Sequence, residues 1–293
     1  MRTGRPTRWT FLRITVACIL AAPLLWAMWA SLQPIDRIFA APGGPPVASS
    51  ERAEPHGRDD PAVQWDNYTK AVTRLPFFRF LFNSFLITVA TTIGTVFTGS
   101  LAGFAFARLH WRGRDACFVI LLATMMLPAQ VLLIPQFLIY EHLGWVNTYK
   151  PLIVPSWLGG SAFFIFLFRQ FFRSVPQSYE DAARLDGATN WQLYWHVMLP
   201  VSRPVIGAVA ALSAVFHWQE FLAPLVYLSD FNSYPVSVGL RMYQAMEGSW
   251  ANLIMAASLI ALLPPLLIVV LAQRYLMRNI SGSSKSSKRF SYF

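Results

Sequence analysis

Charged residues are scarce in this chain. Asp, Glu, Lys and Arg make up 13% of its 293 residues, whereas an ordinary soluble domain carries about 25%. Hydrophobic residues make up 55%. Because so few charges cannot cover the surface of a soluble domain of this length, the composition excludes an ordinary soluble protein and predicts one embedded in a lipid bilayer.

Negative charge is the scarcer sign. The chain has 14 Asp and Glu against 24 Lys and Arg, which gives a net charge of +10. Such an excess often indicates a nucleic-acid partner. Here the basic residues instead follow a membrane topology, described below, so we expect no nucleic acid as a partner.

Cysteine is nearly absent, and the residues of metal and phosphate sites are not grouped. Cys18 and Cys117 each fall within an apolar run, which excludes a disulfide framework and a zinc site, and we expect both to be small buried hydrophobic residues. No His or Cys cluster has metal-ligand spacing, and no Gly-rich phosphate loop ends in Lys-Ser or Lys-Thr. His196 stands alone in a polar segment. We therefore expect no catalytic residues, no metal and no cofactor on this chain, and hence no enzyme.

Long apolar runs are what the chain has instead. A helix that crosses the hydrocarbon needs about 20 apolar residues, because each adds roughly 1.5 Å across a core about 30 Å thick. Six segments predict an all-α, polytopic integral membrane protein with six transmembrane helices: Ile14 to Pro34, Phe80 to Ala107, Ala116 to Tyr140, Pro151 to Phe168, Pro204 to Leu228 and Gly248 to Gln273.

Two of these segments allow another interpretation. The first follows a basic N-terminus and could be a cleaved signal peptide, although its apolar stretch exceeds the usual core of about 7 to 15 residues. The fifth carries His217, Gln219 and Glu220 in its second half. It therefore crosses the bilayer only if those side chains face protein or water.

The basic residues predict that both ends of the chain lie in the cytoplasm, because Lys and Arg favour cytoplasmic segments where loops are short. With the N-terminus inside, 16 of the 24 Lys and Arg fall in cytoplasmic segments. The external loop contains a polar, proline-rich stretch at 44–61 that we expect to be partly disordered. The predicted order is a cytoplasmic N-terminus (1–13), a first span (14–34), an external loop (35–79), a core of five spans (80–277) with a cytoplasmic loop at 174–204, and a basic cytoplasmic tail (278–293).

Small and helix-breaking residues indicate packing and bends within the spans. Gly99 and Gly103 form a small-xxx-small pair that lets another helix approach closely, either from this chain or from a partner. Pro128 and Pro135 in the third span, and the pair Pro264-Pro265 in the sixth, remove backbone donors, so we expect bends there. Bent helices suit a translocation pathway, but they also occur in purely structural spans.

The cytoplasmic loop between the fourth and fifth spans is the most informative segment. Pro176 suits the first turn of a helix, the acidic pair at 180–181 favours its N-terminal half, and Gly187 can adopt the left-handed conformation that ends it. Thr189 then caps a second helix, with Gln192 in the capping-box position. The pattern predicts a helix-turn-helix at the inner face of the membrane. By these signals alone it could be no more than an amphipathic connector.

The same loop contains a set of residues at fixed spacing: Asp181-Ala182-Ala183, Asp186-Gly187-Ala188, Leu199-Pro200 and Pro204. This pattern resembles the EAA loop of the permease subunits of binding-protein-dependent ATP-binding-cassette (ABC) importers, in which Glu-Ala-Ala is followed by Asp-Gly-Ala, Leu-Pro and a further Pro. Asp181 stands where the family usually has Glu, which shortens the acid by one methylene.

The resemblance extends along nearly the whole chain. It is similar to the maltose-type carbohydrate-uptake branch of these permeases, and within that branch to the shorter of the two permease partners. The segments that carry this similarity are Trp65 to Tyr68, Asn83-Ser84, Trp218 to Leu222, and Pro224. The implied architecture is that of a type I ABC importer permease in a bacterial or archaeal plasma membrane.

The resemblance also implies a mechanism and partners. In the family, this loop inserts a coupling helix into a cytoplasmic ATPase, whose closure on ATP rotates the permease helices; ATP and magnesium bind the ATPase. The implied partners are a second permease subunit in a heterodimer, two ATP-binding-cassette ATPase subunits and an extracellular solute-binding protein. The implied coupling residues are Glu180, Asp181, Ala182, Ala183, Asp186, Gly187 and Ala188, with the docking face at 181–183, the turn at 186–187 and a close contact at 188.

The fifth span carries candidates for the solute pathway. Glu220 is the acidic residue that we place within a span, where an ionised carboxylate costs roughly 2.5 to 3.5 kcal/mol on insertion scales. We expect a compensating environment. His217, Gln219 and Glu220, with Trp218 among them, could line a wet cavity that contacts a hydroxyl-rich solute, or could form a structural polar cluster.

Gln130 and Trp157 are further pathway candidates, although tryptophan also marks membrane interfaces and a lone glutamine can simply bond a neighbouring backbone. A proton-coupled secondary transporter, with Glu220 as the titrating group, is the competing function. The sequence does not distinguish among sugars, oligosaccharides, polyols and glycerol phosphates as the solute.

Overall fold

Helices form the whole regular structure of the described part of the chain. The computed structural model describes residues 8–34, 38, 63–245 and 250–287. The helices are α1 (Arg8–Ser31), α2 (Asp66–Thr73), α3 (Phe77–Arg108), α4 (Arg114–Thr124), α5 (Ala129–His142), α6 (Lys150–Trp157), α7 (Ala162–Ser174), α8 (Gln177–Leu185), α9 (Asn190–Val201), α10 (Arg203–Gln219), α11 (Leu222–Tyr227), α12 (Val236–Ala245) and α13 (Ala251–Ser287). The predicted all-α class is confirmed.

Several of these helices are long and apolar enough to cross a membrane. Within the described residues three stretches qualify alone: Phe77–Arg108, Lys150–Ser174 and Ala251–Gln273. The pairs α4–α5 and α9–α10 qualify as broken spans, with bends of 99° and 76°. The apolar part of α1, Thr15–Ser31, is shorter. A polytopic membrane protein is therefore confirmed, whereas the count of six spans stays a prediction.

The chain forms two compact units, one from residues 1–79 and 238–263 and the other from 80–237 and 264–293. In the first unit, α2 is fixed to the end of α1. Asn67 is 1% exposed, and its amide donates to the carbonyls of Ser31 (2.9 Å) and Gln33 (3.2 Å). Ser31 is the last residue of α1 and Gln33 lies two residues beyond it, so Asn67 donates to carbonyls that have no partner within the helix.

The segment that we expected to be an external loop therefore ends in ordered structure. Residues 66–73 form α2, and α3 begins at Phe77 rather than at Phe80. Composition did not indicate α2, because its order depends on buried polar contacts such as that of Asn67 with Asn252 (3.2 Å). The polar stretch at 44–61 lies outside the described residues.

In the second unit, α3 and α7 approach closely. A Cβ on Gly103 would lie 2.5 Å from the Cβ of Phe168 and 3.0 Å from the backbone nitrogen of Arg169. A Cβ on Gly99 would lie 3.5 Å from the Phe168 ring, which is ordinary contact. The small-residue pair thus packs within this chain, one of the two alternatives that the sequence left open.

Proline determines where two predicted spans break. Pro128 precedes the first residue of α5, and α4 and α5 meet there at 99°. The bend expected in the third span is confirmed and amounts to a break. In the fifth span, α10 ends at Gln219 and α11 begins at Leu222. The prediction of one helix from Pro204 through Leu228 was therefore wrong. In a continuous helix the ring of Pro224 would clash with the carbonyl of Glu220, four residues earlier.

The fourth span is also interrupted. Gly159 and Gly160 have positive φ angles of 127° and 59°, and they separate α6 from α7. The side chain of Ser161 then accepts a hydrogen bond from Phe163 N and begins α7. The helix continues to Ser174, six residues beyond the predicted end of the span.

Both cysteines are exposed in this chain, so the prediction that they are buried was wrong. An apolar side chain in a bilayer can face lipid or a neighbouring subunit at little cost. It need not be covered by its own chain.

Candidate functional site: the loop between α7 and α10

The helix α8 has the boundaries that its sequence predicts. Pro176 occupies the position before it, and the helix ends at Leu185. Gly187 has φ of 79°, with its N–H donating to the carbonyl of Arg184 (3.0 Å). Ala188 N donates to the carbonyl of Ala183 (2.9 Å). These bonds satisfy carbonyls at the end of α8 and turn the chain sharply.

A capping box begins α9. The hydroxyl of Thr189 accepts from Gln192 N (3.3 Å), and the side chain of Gln192 accepts from Thr189 N (2.8 Å). Leu193 and Met198 are fully buried in α9, and the buried hydroxyl of Tyr194 lies 2.8 Å from that of Ser100 in α3. The predicted helix-turn-helix is confirmed, and its second helix is anchored in the core.

The two faces of α8 differ in character. Asp181 and Ala182 are exposed, and Leu185 is 89% exposed. Sequence reasoning missed Leu185, although its position three residues after Ala182 places both on one helical face. Ala188, the predicted close contact, is half-buried, whereas Asp186 and Gly187 are exposed at the turn.

Two predicted coupling residues point towards the protein instead. Ala183 is half-buried and packs against the core cluster around Phe168 and Phe172, so it does not share the outer face. Glu180 is 3% exposed. Ala183 does not share the outer face with Asp181 and Ala182, because a helix of 3.6 residues per turn directs consecutive side chains to different sides. Its part in docking stays a prediction.

Glu180 belongs to a buried ion-pair network. Its Oε2 lies 3.4 Å from Nη1 of Arg108, the last residue of α3. Its Oε1 accepts from Arg184 at 2.7 and 3.0 Å. Because an unpaired buried carboxylate would be costly, these two cations account for an acid inside the protein.

The fifth-span candidates are only partly brought together. His217 and Glu220 line a cavity of about 180 Å³. Trp218 is 6% exposed and Gln219 is exposed, and neither lines this cavity. Adjacent residues of a helix point in different directions, so a run of four polar and aromatic residues cannot share one wall.

Most of the lining residues were not predicted as site residues, and three of them carry polar groups near His217 and Glu220. Tyr140, Tyr227 and Gln136 share the cavity with His217 and Glu220. The hydroxyl of Tyr227 donates to Gln136 Oε1 (3.2 Å), and its ring packs edge-to-face on Tyr140. Their positions in α5 and α11 gave no local signal, since only the fold brings these helices to α10.

Glu220 is held at the break between α10 and α11. Its Oε1 accepts from Ala223 N (3.3 Å), and its carbonyl accepts from the hydroxyl of Ser237 (2.7 Å). The carbonyl that Pro224 cannot bond thus has another donor. The break fixes a carboxylate at the wall of the cavity.

Gln130 and Trp157 do not line this cavity. Gln130 is exposed. The indole N–H of Trp157 donates to the carbonyl of Ala90 (3.1 Å), and a Cβ on Gly94 would lie 2.7 Å from its ring. These contacts favour a packing role for Trp157.

Three buried hydroxyls have no hydrogen-bond partner among the described residues: Thr88, Thr92 and Ser213. Thr88 lies one helical turn from Ser84, a cavity residue, and Ser213 lies one turn from His217. Each of these hydroxyls therefore has a donor and an acceptor that this part of the chain does not use. They extend a polar face along α3 and α10 beyond the cavity.

Residues 94–282 match the family model described as "Binding-protein-dependent transport system inner membrane component". The chain belongs to this family. The match includes the loop between α7 and α10 and the cavity residues of α5, α10 and α11. The resemblance seen in the sequence is thereby confirmed.

Curated relatives of this chain are named as permease proteins. The chain is 32% identical to the sn-glycerol-3-phosphate transport system permease protein UgpE of Yersinia enterocolitica, over 72% of this chain and 75% of the relative. It is 29% identical to the arabinooligosaccharides transport system permease protein AraQ of Bacillus subtilis, over 76% and 79%. It is also 29% identical to the probable ABC transporter permease protein YurM of Bacillus subtilis, over 96% and 88%.

A solved structure shares the fold. A chain of a bacterial ABC transporter involved in the import of the acidic polysaccharide alginate matches with a TM-score of 0.73 at 20% identity, covering 94% of this chain and 99% of that one. The family member described here therefore has the fold of a chain from an ABC importer.

Proposed function

We propose that this chain is one of two permease subunits of an ATP-driven importer for a carbohydrate or related polyol. Its partners would be a second permease subunit, two ATP-binding-cassette ATPase subunits and an external solute-binding protein. Both ends of the chain would lie in the cytoplasm. Family membership carries the proposal, because the family is named for binding-protein-dependent transport. A proton-coupled secondary transporter is not favoured by that membership.

The loop between α7 and α10 would couple ATP hydrolysis to transport. Its support is the shape of α8, whose outer face presents Asp181, Ala182 and the 89% exposed Leu185. A helix that binds in a groove of a partner protein presents apolar side chains three or four positions apart, as Ala182 and Leu185 are. In this proposal Leu185 enters the ATPase cleft, and the chain itself hydrolyses nothing.

Copurification tests this coupling role. A tagged wild-type chain, expressed with its partners, should retain the ATPase, and Leu185→Glu should lose it because a carboxylate would be buried without a partner. Val201→Ala, which trims another exposed apolar residue of the same loop, is the control and should retain it. An equal amount of ATPase with Leu185→Glu, or uptake that follows the proton gradient rather than ATP, would contradict the proposal.

The cavity beside α10 would contact the solute. Its lining includes Glu220, Gln136, His217 and two tyrosines, and no Lys or Arg of the described part of the chain lines it. Such a set can exchange hydrogen bonds with hydroxyl groups and offers no cation to pair with a phosphate. The names of the relatives include both an oligosaccharide and a glycerol phosphate. The lining of the cavity favours an uncharged carbohydrate over a glycerol phosphate as the solute of this chain.

Transport kinetics of Glu220→Gln test the cavity. The amide keeps the size of the side chain but replaces one acceptor oxygen with a donor nitrogen. We therefore expect a fall of about tenfold in the uptake of the sugar that the external binding protein retains. Gln219→Met, an uncharged change of similar size at the exposed neighbour, should leave uptake unchanged. Unaltered affinity and rate in Glu220→Gln would leave Glu220 a structural role only.

A further inference from the structure

Arg108 joins three helices at one buried point. It is the last residue of α3 and is 6% exposed. Its guanidinium donates to the carbonyl of Phe172 at 2.6 and 3.1 Å and to that of Val175, both at the C-terminal end of α7. It also donates to Gln177 Oε1 of α8 (2.8 Å) and pairs with Glu180.

These contacts hold α3, α7 and α8 in fixed relative positions, because each acceptor bonds a particular N–H of the Arg108 guanidinium. The carbonyls at the end of a helix lack partners within it and carry partial negative charge, so they stabilise a cation. A guanidinium presents its N–H groups in a rigid planar fork, which sets the positions of α7 and α8 relative to α3. A flexible ammonium could not hold these groups in one geometry.

The network of hydrogen bonds around Arg108 continues through Glu180 to the start of α9. Arg184 bonds the second oxygen of Glu180 and donates to Asn190 Oδ1 (3.2 Å), the first residue of α9. Glu180 is also the one buried residue of α8. Arg108 therefore connects α8 to the end of α3 through both Glu180 and Gln177, whereas the outer face of α8 stays exposed.

We propose that Arg108 and Glu180 are positioning residues that transmit displacement of α8 to α3 and α7. This inference rests on the proposed coupling role of the loop. A pull on α8 would have to separate a buried ion pair or carry α3 and α7 with it, and separation leaves a buried charge unpaired. Because the network touches no docking residue, its loss uncouples transport without releasing the ATPase.

The test uses the complete purified transporter in proteoliposomes. The variants are Arg108→Lys, which keeps the charge but loses the fork, and Arg108→Met with Glu180→Leu, which removes both buried charges. Arg184 then loses its carboxylate partner, but its side chain is 46% exposed, so its charge stays solvated. Arg114→Met is the matched control, because Arg114 pairs with the exposed Asp115 at the same end of the protein (3.0 Å). Bound ATPase, ATP hydrolysis and sugar uptake are measured for each.

We expect both Arg108 variants to retain the ATPase and hydrolyse ATP, with sugar taken up per ATP at least tenfold lower than in the wild type. Arg114→Met should match the wild type. The double variant separates coupling from folding, since removal of both charges restores stability if the pair is merely structural. Wild-type uptake per ATP in either Arg108 variant would overturn the inference. ATP-independent uptake by the wild type would instead overturn the proposed function.

Discussion

Single residues in the loop between α7 and α10 have roles that depend on backbone conformation as much as on side-chain chemistry. Gly187 shows this most clearly. It has φ of 79°, and a Cβ added there would meet nothing within 4 Å. Any harm from a substitution would therefore come from backbone strain in the left-handed region and not from a clash.

We predict that Gly187→Val abolishes uptake and that Gly187→Asn retains most of it. A β-branched residue resists positive φ, where an ordinary L-residue already costs about 1 to 2 kcal/mol, whereas asparagine tolerates this region. ATP-driven uptake in proteoliposomes, normalised to the amount of folded chain, is the measurement. Full transport by Gly187→Val would show that the turn after α8 is not required.

At the scale of elements, the contact between α3 and α7 depends on one glycine more than on the other. The pair Gly99 and Gly103 looks equivalent in sequence. In the fold, only Gly103 would place a Cβ against backbone atoms of the opposing helix, at 3.0 Å from Arg169 N. Backbone cannot move aside as a flexible side chain can.

We predict that Gly103→Ala lowers the melting temperature of the purified chain and that Gly99→Ala changes it little. Overpacking of a tight contact costs typically about 1 to 3 kcal/mol. The two variants add the same methyl group one helical turn apart, so each controls for the other. Equal melting temperatures would mean that α3 and α7 lie farther apart than described.

Two of the predicted spans are interrupted, and each interruption exposes backbone hydrogen-bonding groups. The interruptions at Glu220 and at Gly159-Gly160 leave backbone groups that other residues must satisfy, which is tolerated in a membrane only inside protein or beside water. At Glu220 the hydroxyl of Ser237 meets that need. This break lies at the cavity and holds the carboxylate of Glu220 at its wall.

At the scale of the whole molecule, orientation follows from charge. We predict that a reporter fused after Arg58 is accessible from outside the cell and that one fused after Arg112 is not. The basic residues near the short loops predict this arrangement, because Lys and Arg favour the cytoplasmic side. A reporter active only in the cytoplasm and one active only outside should give opposite patterns at the two positions. The reverse result would place the loop between α7 and α10 outside, away from any ATPase.

The sequence by itself determined the membrane class, the all-helical structure and the helix-turn-helix between α7 and α10. These features are local: apolar runs follow from the thickness of the bilayer, and the caps at Pro176, Thr189 and Gly187 involve residues within a few positions. Local interactions can be read from neighbours in the chain. The motif that begins at Asp181 is local in the same sense, which is why its residues alone were enough to indicate the family.

Only the tertiary structure decided which side of each helix meets protein. It placed Glu180 inside and Leu185 outside, brought Tyr140, Tyr227 and Gln136 to the cavity, and joined Arg108 to α8 across 72 positions of sequence. In a membrane protein both the lipid-facing and the protein-facing sides are apolar, so hydrophobicity does not distinguish them. The partners of a buried charge are selected by the packing of distant segments, which no local pattern records.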